Sequence, residues 1–145
     1  MTKRAFHYIL AVAALFASGC SNGTKPESVA EDFLKAYVST DYAKAASYCT
    51  PELEQDLNRA VEELDNLSDE IKELIKRHTR NFTPKVDSVE EIKGKDTVIV
   101  FYSIVNINKE DTLSVSGTQV IESQLSLVKS EEGWKIAALN NNKKL

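Results

Sequence analysis

Side chains that commonly act as metal ligands or nucleophiles are scarce in this chain. It has two cysteines and two histidines in 145 residues, and their spacing matches no zinc site. The acidic turn Lys109-Glu110-Asp111 is too short for a calcium loop of about twelve residues, and five glycines form no phosphate-binding loop. The sequence therefore predicts neither a metal site nor a cofactor site.

Cys20 is the residue whose surroundings indicate a covalent modification. It follows Ala17-Ser18-Gly19, an almost uncharged stretch from Ala5 to Phe16, and the basic pair Lys3-Arg4. A basic start, an apolar core and small residues are the three parts of an export signal. The cleavage region resembles a bacterial lipobox, whose cysteine is acylated before cleavage on its N-terminal side, although Ala17 stands where leucine is commonest. The alternative is an ordinary signal peptide with a chance cysteine.

The proposed signal also predicts the domain organisation and the location. Its apolar core of about 12 residues is shorter than the roughly 20 that span a bilayer, whereas two acyl chains, such as palmitate, anchor a protein stably. We expect residues 1–19 to be removed, 20–25 to form a lipidated tether, and 26–145 to form one domain. Residues 21–25 lack an acidic run resembling surface-export signals, so we expect a lipid-anchored envelope protein that faces the periplasm.

The charge of the mature chain argues against a nucleic-acid partner. Removing residues 1–19 leaves 16 basic and 22 acidic residues, a formal net charge of −6. Phosphate contacts require clustered lysine and arginine, so we predict no nucleic-acid binding. The remaining cysteine, Cys49, lies among Ala45, Ala46 and Tyr48 and is predicted to be a small buried hydrophobic residue.

Periodic apolar residues predict helices in the first half of the domain. A helix is expected from about 26 to 38, with Thr24 and Glu27 as a capping box, followed by a short helix capped by Asp41. Thr50 and Pro51 then begin a long helix. Its one-sided stripe is Leu53, Leu57, Ala60, Leu64, Leu67, Ile71, Leu74 and His78. The stripe favours packing against a sheet over a coiled coil, and residues 68–70 could divide it into two helices.

After the long helix, the spacing of apolar residues changes from a helical period to a period of two, and β-branched residues dominate. Strands are predicted near 85–92, 97–107, 113–128 and 134–139. The second is apolar on both faces, so it should be central, with an outer face available to a partner. The third alternates between apolar and polar residues, which predicts one buried face. Helices followed by an antiparallel meander predict an α+β domain with helices packed on a four-stranded antiparallel sheet. The expected core combines Phe33, Tyr37, Leu57, Leu64, Ile71 and Trp134.

Three segments carry a resemblance to a known family. They are Pro26 to Tyr37, Asp41 to Ala46 after the first helix, and Glu132 to Ala137 in the last hairpin. In this order the chain resembles the nuclear transport factor two-like superfamily, and in particular its small lipoproteins of unknown function. The resemblance implies N-terminal helices across a curved sheet that forms a cone with an open cavity. Such cones bind ligands, form dimeric scaffolds, and occasionally carry isomerase or dehydratase chemistry.

The resemblance also supplies candidate catalytic residues, because enzymes on this fold use carboxylate, histidine and tyrosine side chains inside the cone. The candidates here are Asp41, Tyr37, Tyr48, Tyr102 and His78. None forms a recognisable pair. A helix cap explains Asp41, an exposed helix end explains His78, and core packing explains the tyrosines. We therefore assign no catalytic residue.

Two classes of function follow. The first is a non-catalytic binding or assembly lipoprotein, held at the membrane by Cys20, that forms a homodimer through the sheet or takes a small apolar ligand. The second is a small isomerase or dehydratase that uses the cavity of the cone. A pocket with two convergent ionisable groups would favour the enzyme, and the residue pattern favours the first class.

Overall fold

The computed structural model describes residues 24–106 and 119–140. The predicted signal, Cys20 and the start of its tether lie outside these residues, as do position 107 and the first six positions of the predicted third strand. The elements are α1 (Pro26–Val38), α2 (Tyr42–Ala46), α3 (Pro51–Asp65), α4 (Asp69–Thr79), β1 (Phe82–Glu91), β2 (Thr97–Asn106), β3 (Gln119–Ser130) and β4 (Gly133–Asn140).

The first helix follows the sequence prediction in extent, whereas α2 ends at Ala46, before Cys49, the last apolar residue of the predicted short helix. α1 occupies the predicted residues, but the capping box is wrong: the N-cap is Lys25, and no side chain caps the helix. Pro26, whose fixed φ suits a first helical position, begins the helix, so the N-cap lies one residue after Thr24. Asp41 caps α2 as predicted, because its Oδ1 accepts a hydrogen bond from the Lys44 N–H at 3.2 Å.

The long apolar stripe is divided into two helices. α3 ends at Asp65, and Ser68 caps α4 by accepting a hydrogen bond from the Ile71 N–H at 3.4 Å. This division matches the alternative predicted at residues 68–70. Leu57 is buried and Leu64 half-buried, but Ile71 is 43% exposed. The prediction that Ile71 belongs to the core is wrong. After the break, α4 does not continue along the axis of α3, and none of its residues is buried.

The four strands form one antiparallel sheet in the order β1-β2-β3-β4. β2 and β3 are the inner strands, which confirms the prediction for β2. The pairing register shifts at Asp87 in β1 and at Ala137 in β4, opposite Ser126 and Leu127 of β3. Such bulges bend and twist the strands that contain them. Gly133 has a φ of 113°, which the tight turn between β3 and β4 requires.

The core lies between the helices and one face of this sheet, which we call the inner face. β2 contributes Val98, Val100 and Tyr102, and β3 contributes Leu125 and Leu127. α1 covers them with Phe33 and Leu34, both almost fully buried. Tyr37 and Trp134 pack against this core while half-buried. The predicted α+β architecture, with helices on a four-stranded antiparallel sheet, is thus confirmed.

The segment between α2 and α3 is attached to the edge of the sheet. The Thr50 N–H donates to the Ile136 carbonyl at 2.8 Å, and the Ile136 N–H donates to the Tyr48 carbonyl at 2.9 Å. These bonds cover part of the free edge of β4 and place α2 over the core. Within the described residues, no helix is long and apolar enough to cross a membrane.

Candidate functional site

The candidate catalytic residues do not converge on one point. His78 lies exposed near the end of α4, where its ring meets Phe82 edge-on at a centroid distance of 5.7 Å. Asp41 is exposed and serves as the cap of α2. Tyr48 packs at the margin of the core beside the α2–α3 connection. Each of these residues has a structural role that is sufficient to explain its position.

Three tyrosines do come together, and one of them was not a candidate. The Tyr37 ring stacks on Phe33 at 5.5 Å and meets Tyr42 at 5.4 Å. Burial raises the pKa of the Tyr37 hydroxyl, and the nearby Tyr42 and Tyr102 hydroxyls raise it further. A phenol with a raised pKa stays neutral and donates hydrogen bonds, so this cluster is a poor base at neutral pH. The sequence did not identify Tyr42 as a candidate, because its ring contacts Tyr37 across the turn between α1 and α2.

Asn106 adds a polar group to the same inner face as Tyr102. It is the last described residue of β2 and is 5% exposed. Its Oδ1 accepts no hydrogen bond from the part of the chain that the structure describes. A buried acceptor without a donor costs free energy, so this amide is a position where a polar ligand group would be favourable.

Cys49 has the environment of a structural thiol. It is 4% exposed, and its Sγ donates to the Ala45 carbonyl at 3.4 Å. Burial raises its pKa to about 12; Glu54 raises it and Lys135 lowers it by a smaller amount. Nucleophilic cysteines require a lowered pKa, so Cys49 is a buried core residue, as the sequence predicted.

The face of the sheet opposite the core, which we call the outer face, carries a second group of apolar residues. Ile99, Phe101 and Val105 project from β2 on this side and are half-buried. None of them belongs to the core cluster beneath the helices. Val120, paired with Val105, is 53% exposed.

Polar side chains border the apolar residues of the outer face. The Ser103 hydroxyl donates to the Asp87 carboxylate at 3.2 Å, and Lys85 lies 3.9 Å from the same carboxylate. Gln124 flanks Phe101 on the other side. An apolar centre with a polar rim is typical of protein interfaces.

Metal binding finds no support among the residues that the structure describes. Within 24–106 and 119–140, no three His, Cys, Asp or Glu side chains are grouped so that they could hold an ion. The acidic residues on α3 and α4 are largely exposed, and those that form ion pairs do so with neighbours on the same helix.

Comparison with known proteins returns similarity of structure only. No family model and no curated protein matches the chain. It is similar to a crystal structure of a candidate nuclear transport factor two-like transpeptidase from Campylobacter jejuni, at 16% identity and a TM-score of 0.47, covering 79% of this chain and 99% of that one. It is also similar to a SEC-C motif containing protein from Rhodopseudomonas palustris, at 14% identity and a TM-score of 0.46, covering 78% and 75%. Neither similarity bears on what this chain binds or catalyses.

Proposed function

We propose that this chain is a membrane-tethered assembly module of the bacterial envelope, anchored by lipid on Cys20, facing the periplasm and without catalytic activity. The observation that carries the assembly role is the outer face, where Ile99, Phe101 and Val105 form an apolar centre away from the core. A second copy of the chain would bury this centre by apposing the same face across a two-fold axis.

Several features of the site support a non-catalytic role over isomerase or dehydratase chemistry. Proton transfer between carbon positions needs an acid and a base on one substrate. His78 and Asp41 are exposed and have separate structural roles, and the clustered tyrosine Tyr37 has a raised pKa. The tether itself rests on the signal and the small residues before Cys20.

Sedimentation velocity of the fragment Ser21–Leu145 tests the assembly role. We expect a concentration-dependent dimer, and we expect Phe101→Glu to make it monomeric, because a charge at the centre of an apolar interface is left unpaired. Lys93→Glu, an exposed change in the β1–β2 turn, is the control and should leave the dimer intact. A wild-type fragment that stays monomeric at high concentration would contradict the proposal.

A further inference from the structure

Two adjoining depressions, together called the groove, lie between α1, the C-terminal half of α4 and β1. One part has a volume of about 470 Å³ and is bordered by Val38, Lys76, Arg80 and Phe82, among others. The adjoining part, of about 420 Å³, lies between Leu34, Lys85 and Val86. Both parts have Lys35 and Pro84 in their lining, so they adjoin each other, and each volume lies within the roughly 300–1,000 Å³ of small-molecule sites.

The lining of this groove is apolar at its floor and basic at its rim. The floor is made of Leu34, Val38, Phe82, Pro84 and Val86, which α1 and β1 supply. The rim has three cations, Lys35, Lys76 and Arg80, against two carboxylates, Glu31 and Glu73; Lys85 also borders the groove, but its side chain lies beside Asp87 on the outer face. The whole chain has a formal net charge of −4, so a local excess of cations departs from the general trend of the molecule.

The three rim cations lie at the ends of helices, and Arg80 is the C-cap residue of α4. α1 and α4 both end at the groove, where Lys35 and Lys76 offset the negative ends of the helix dipoles. Arg80 forms no ion pair with any residue that the structure describes in 24–106 or 119–140.

The lysines of the rim are also available to a ligand, although each has a carboxylate partner. Lys35 and Lys76 lie 4.0 and 3.1 Å from their carboxylate partners, in exposed pairs that contribute little to stability and exchange readily. The two hydroxyls of the groove donate hydrogen bonds to backbone carbonyls at the ends of α1 and α4. Ser39 Oγ donates to the Lys35 carbonyl at 2.7 Å, and Thr79 Oγ1 donates to the Ile75 carbonyl at 3.0 Å.

We infer that this groove binds an amphipathic anion, an acyl chain that ends in a carboxylate or a phosphate. The apolar floor would take the chain, and Arg80 with Lys76 would take the charged group, because a guanidinium pairs with both oxygens of such an anion. The groove follows α1 from Glu31 to Ser39, about 12 Å of helix. This inference goes beyond the proposed assembly role, because it assigns a second site, on other residues, and the class of ligand that it takes.

Calorimetric titration of the fragment Ser21–Leu145 tests the inference, because all described core elements lie within that fragment. The probes are decanoate and decyl phosphate below their micellar concentrations, with acetate, decanol and decyltrimethylammonium as comparisons. Both anions should bind, and the short, neutral and cationic probes should bind at least about tenfold more weakly. Equal affinity for the cationic and anionic chains, or no binding of either anion, would overturn the inference.

Matched variants locate the site. Arg80→Gln should weaken decanoate binding about tenfold, whereas Arg59→Gln, the same change on the exposed face of α3, should leave it unchanged. A cooperative thermal transition in each variant shows that it is folded. Equal losses in both variants would overturn the assigned site.

Vesicles distinguish a lipid headgroup from a free amphiphile. Binding to phosphatidylglycerol vesicles but not to phosphatidylcholine vesicles, lost in Arg80→Gln, would identify a lipid headgroup; binding of free decanoate alone would identify a free amphiphile. Failure of these titrations would leave the sedimentation result for the outer face intact, so the two proposals fail separately.

Discussion

At Cys49, burial determines the chemistry of the side chain. The raised pKa means that the folded state holds the thiol proton more tightly than the unfolded chain does. Between the ordinary value of 9.0 and about 12, the unfolded chain therefore binds fewer protons than the folded one. The contribution of this group to stability is complete below about pH 9 and decreases as the pH rises towards 12.

We predict that Cys49 is unreactive until the domain unfolds. In the fragment Ser21–Leu145 it is the sole cysteine, so iodoacetamide at about pH 8 should label the urea-unfolded chain more than about tenfold faster than the folded chain. As the pH rises from about 9 to 11, the free energy of unfolding should fall less in Cys49→Ala than in the wild type. Urea unfolding at each pH measures this difference. Rapid labelling of the folded chain would show that the thiol is accessible.

Trp134 and His78 should differ in their contributions to stability. Trp134 packs against the core and aromatic truncations there commonly cost about 3–5 kcal/mol; because it is only half-buried, we expect Trp134→Ala to fall at the lower end. His78 is exposed, so His78→Ala should change the unfolding free energy by less than about 0.5 kcal/mol. Urea unfolding of both variants shows which of them loses more unfolding free energy. The reversed order would place His78 in a buried, paired environment.

At the scale of elements, α3 and α4 differ although they continue one apolar stripe. α3 buries Leu57, whereas α4 has no buried residue and leaves Leu74 55% exposed. The break at residues 66–68 separates a helix that packs from one that borders the groove. Leucines on the same stripe are therefore expected to contribute unequally to the free energy of unfolding.

Two matched leucine truncations test this difference. Leu57→Ala should cost about 2–5 kcal/mol, because it leaves a cavity in the core. Leu74→Ala should cost less than about 1 kcal/mol, because its side chain is mostly in water already. Equilibrium unfolding in urea gives both values. A large loss for Leu74→Ala would mean that α4 is covered in solution.

At the scale of the whole molecule, the predicted tether decides where the domain resides. We predict that Cys20→Ser moves the protein out of the membrane fraction, because a short signal core cannot anchor a processed chain. Cell fractionation measures the change, and mass spectrometry of the mature N-terminus should find acyl groups on Cys20. An unmodified N-terminus at another residue would contradict the prediction.

The side on which the domain is exposed has its own test. Periplasm-facing protein should resist protease added to intact cells and be digested after the outer membrane is permeabilised. A surface-exposed protein would be digested in both cases. The comparison uses the same cells and the same antibody against the domain.

Local patterns in the sequence determined the architecture of this protein. The apolar spacing in α1, Asp41 before α2 and the alternation along β3 each report on contacts within a few residues. α1 and the cap of α2 formed as predicted, and in the described part of β3 Leu125 and Leu127 are buried as predicted, whereas Ile121 is 52% exposed. The order of helices and strands then determined the α+β class, because a single apolar face on each has to be buried against the other.

Tertiary structure alone decided the features that join distant positions. The exposure of Ile71 depends on the direction that α4 takes after the break, which no periodicity encodes. The tyrosine cluster joins α1 and α2 to β2, and the groove brings Lys35 of α1, Arg80 at the end of α4 and Phe82 of β1 together. A stripe shows that a side chain is apolar, but its burial depends on the surface that the fold places opposite it.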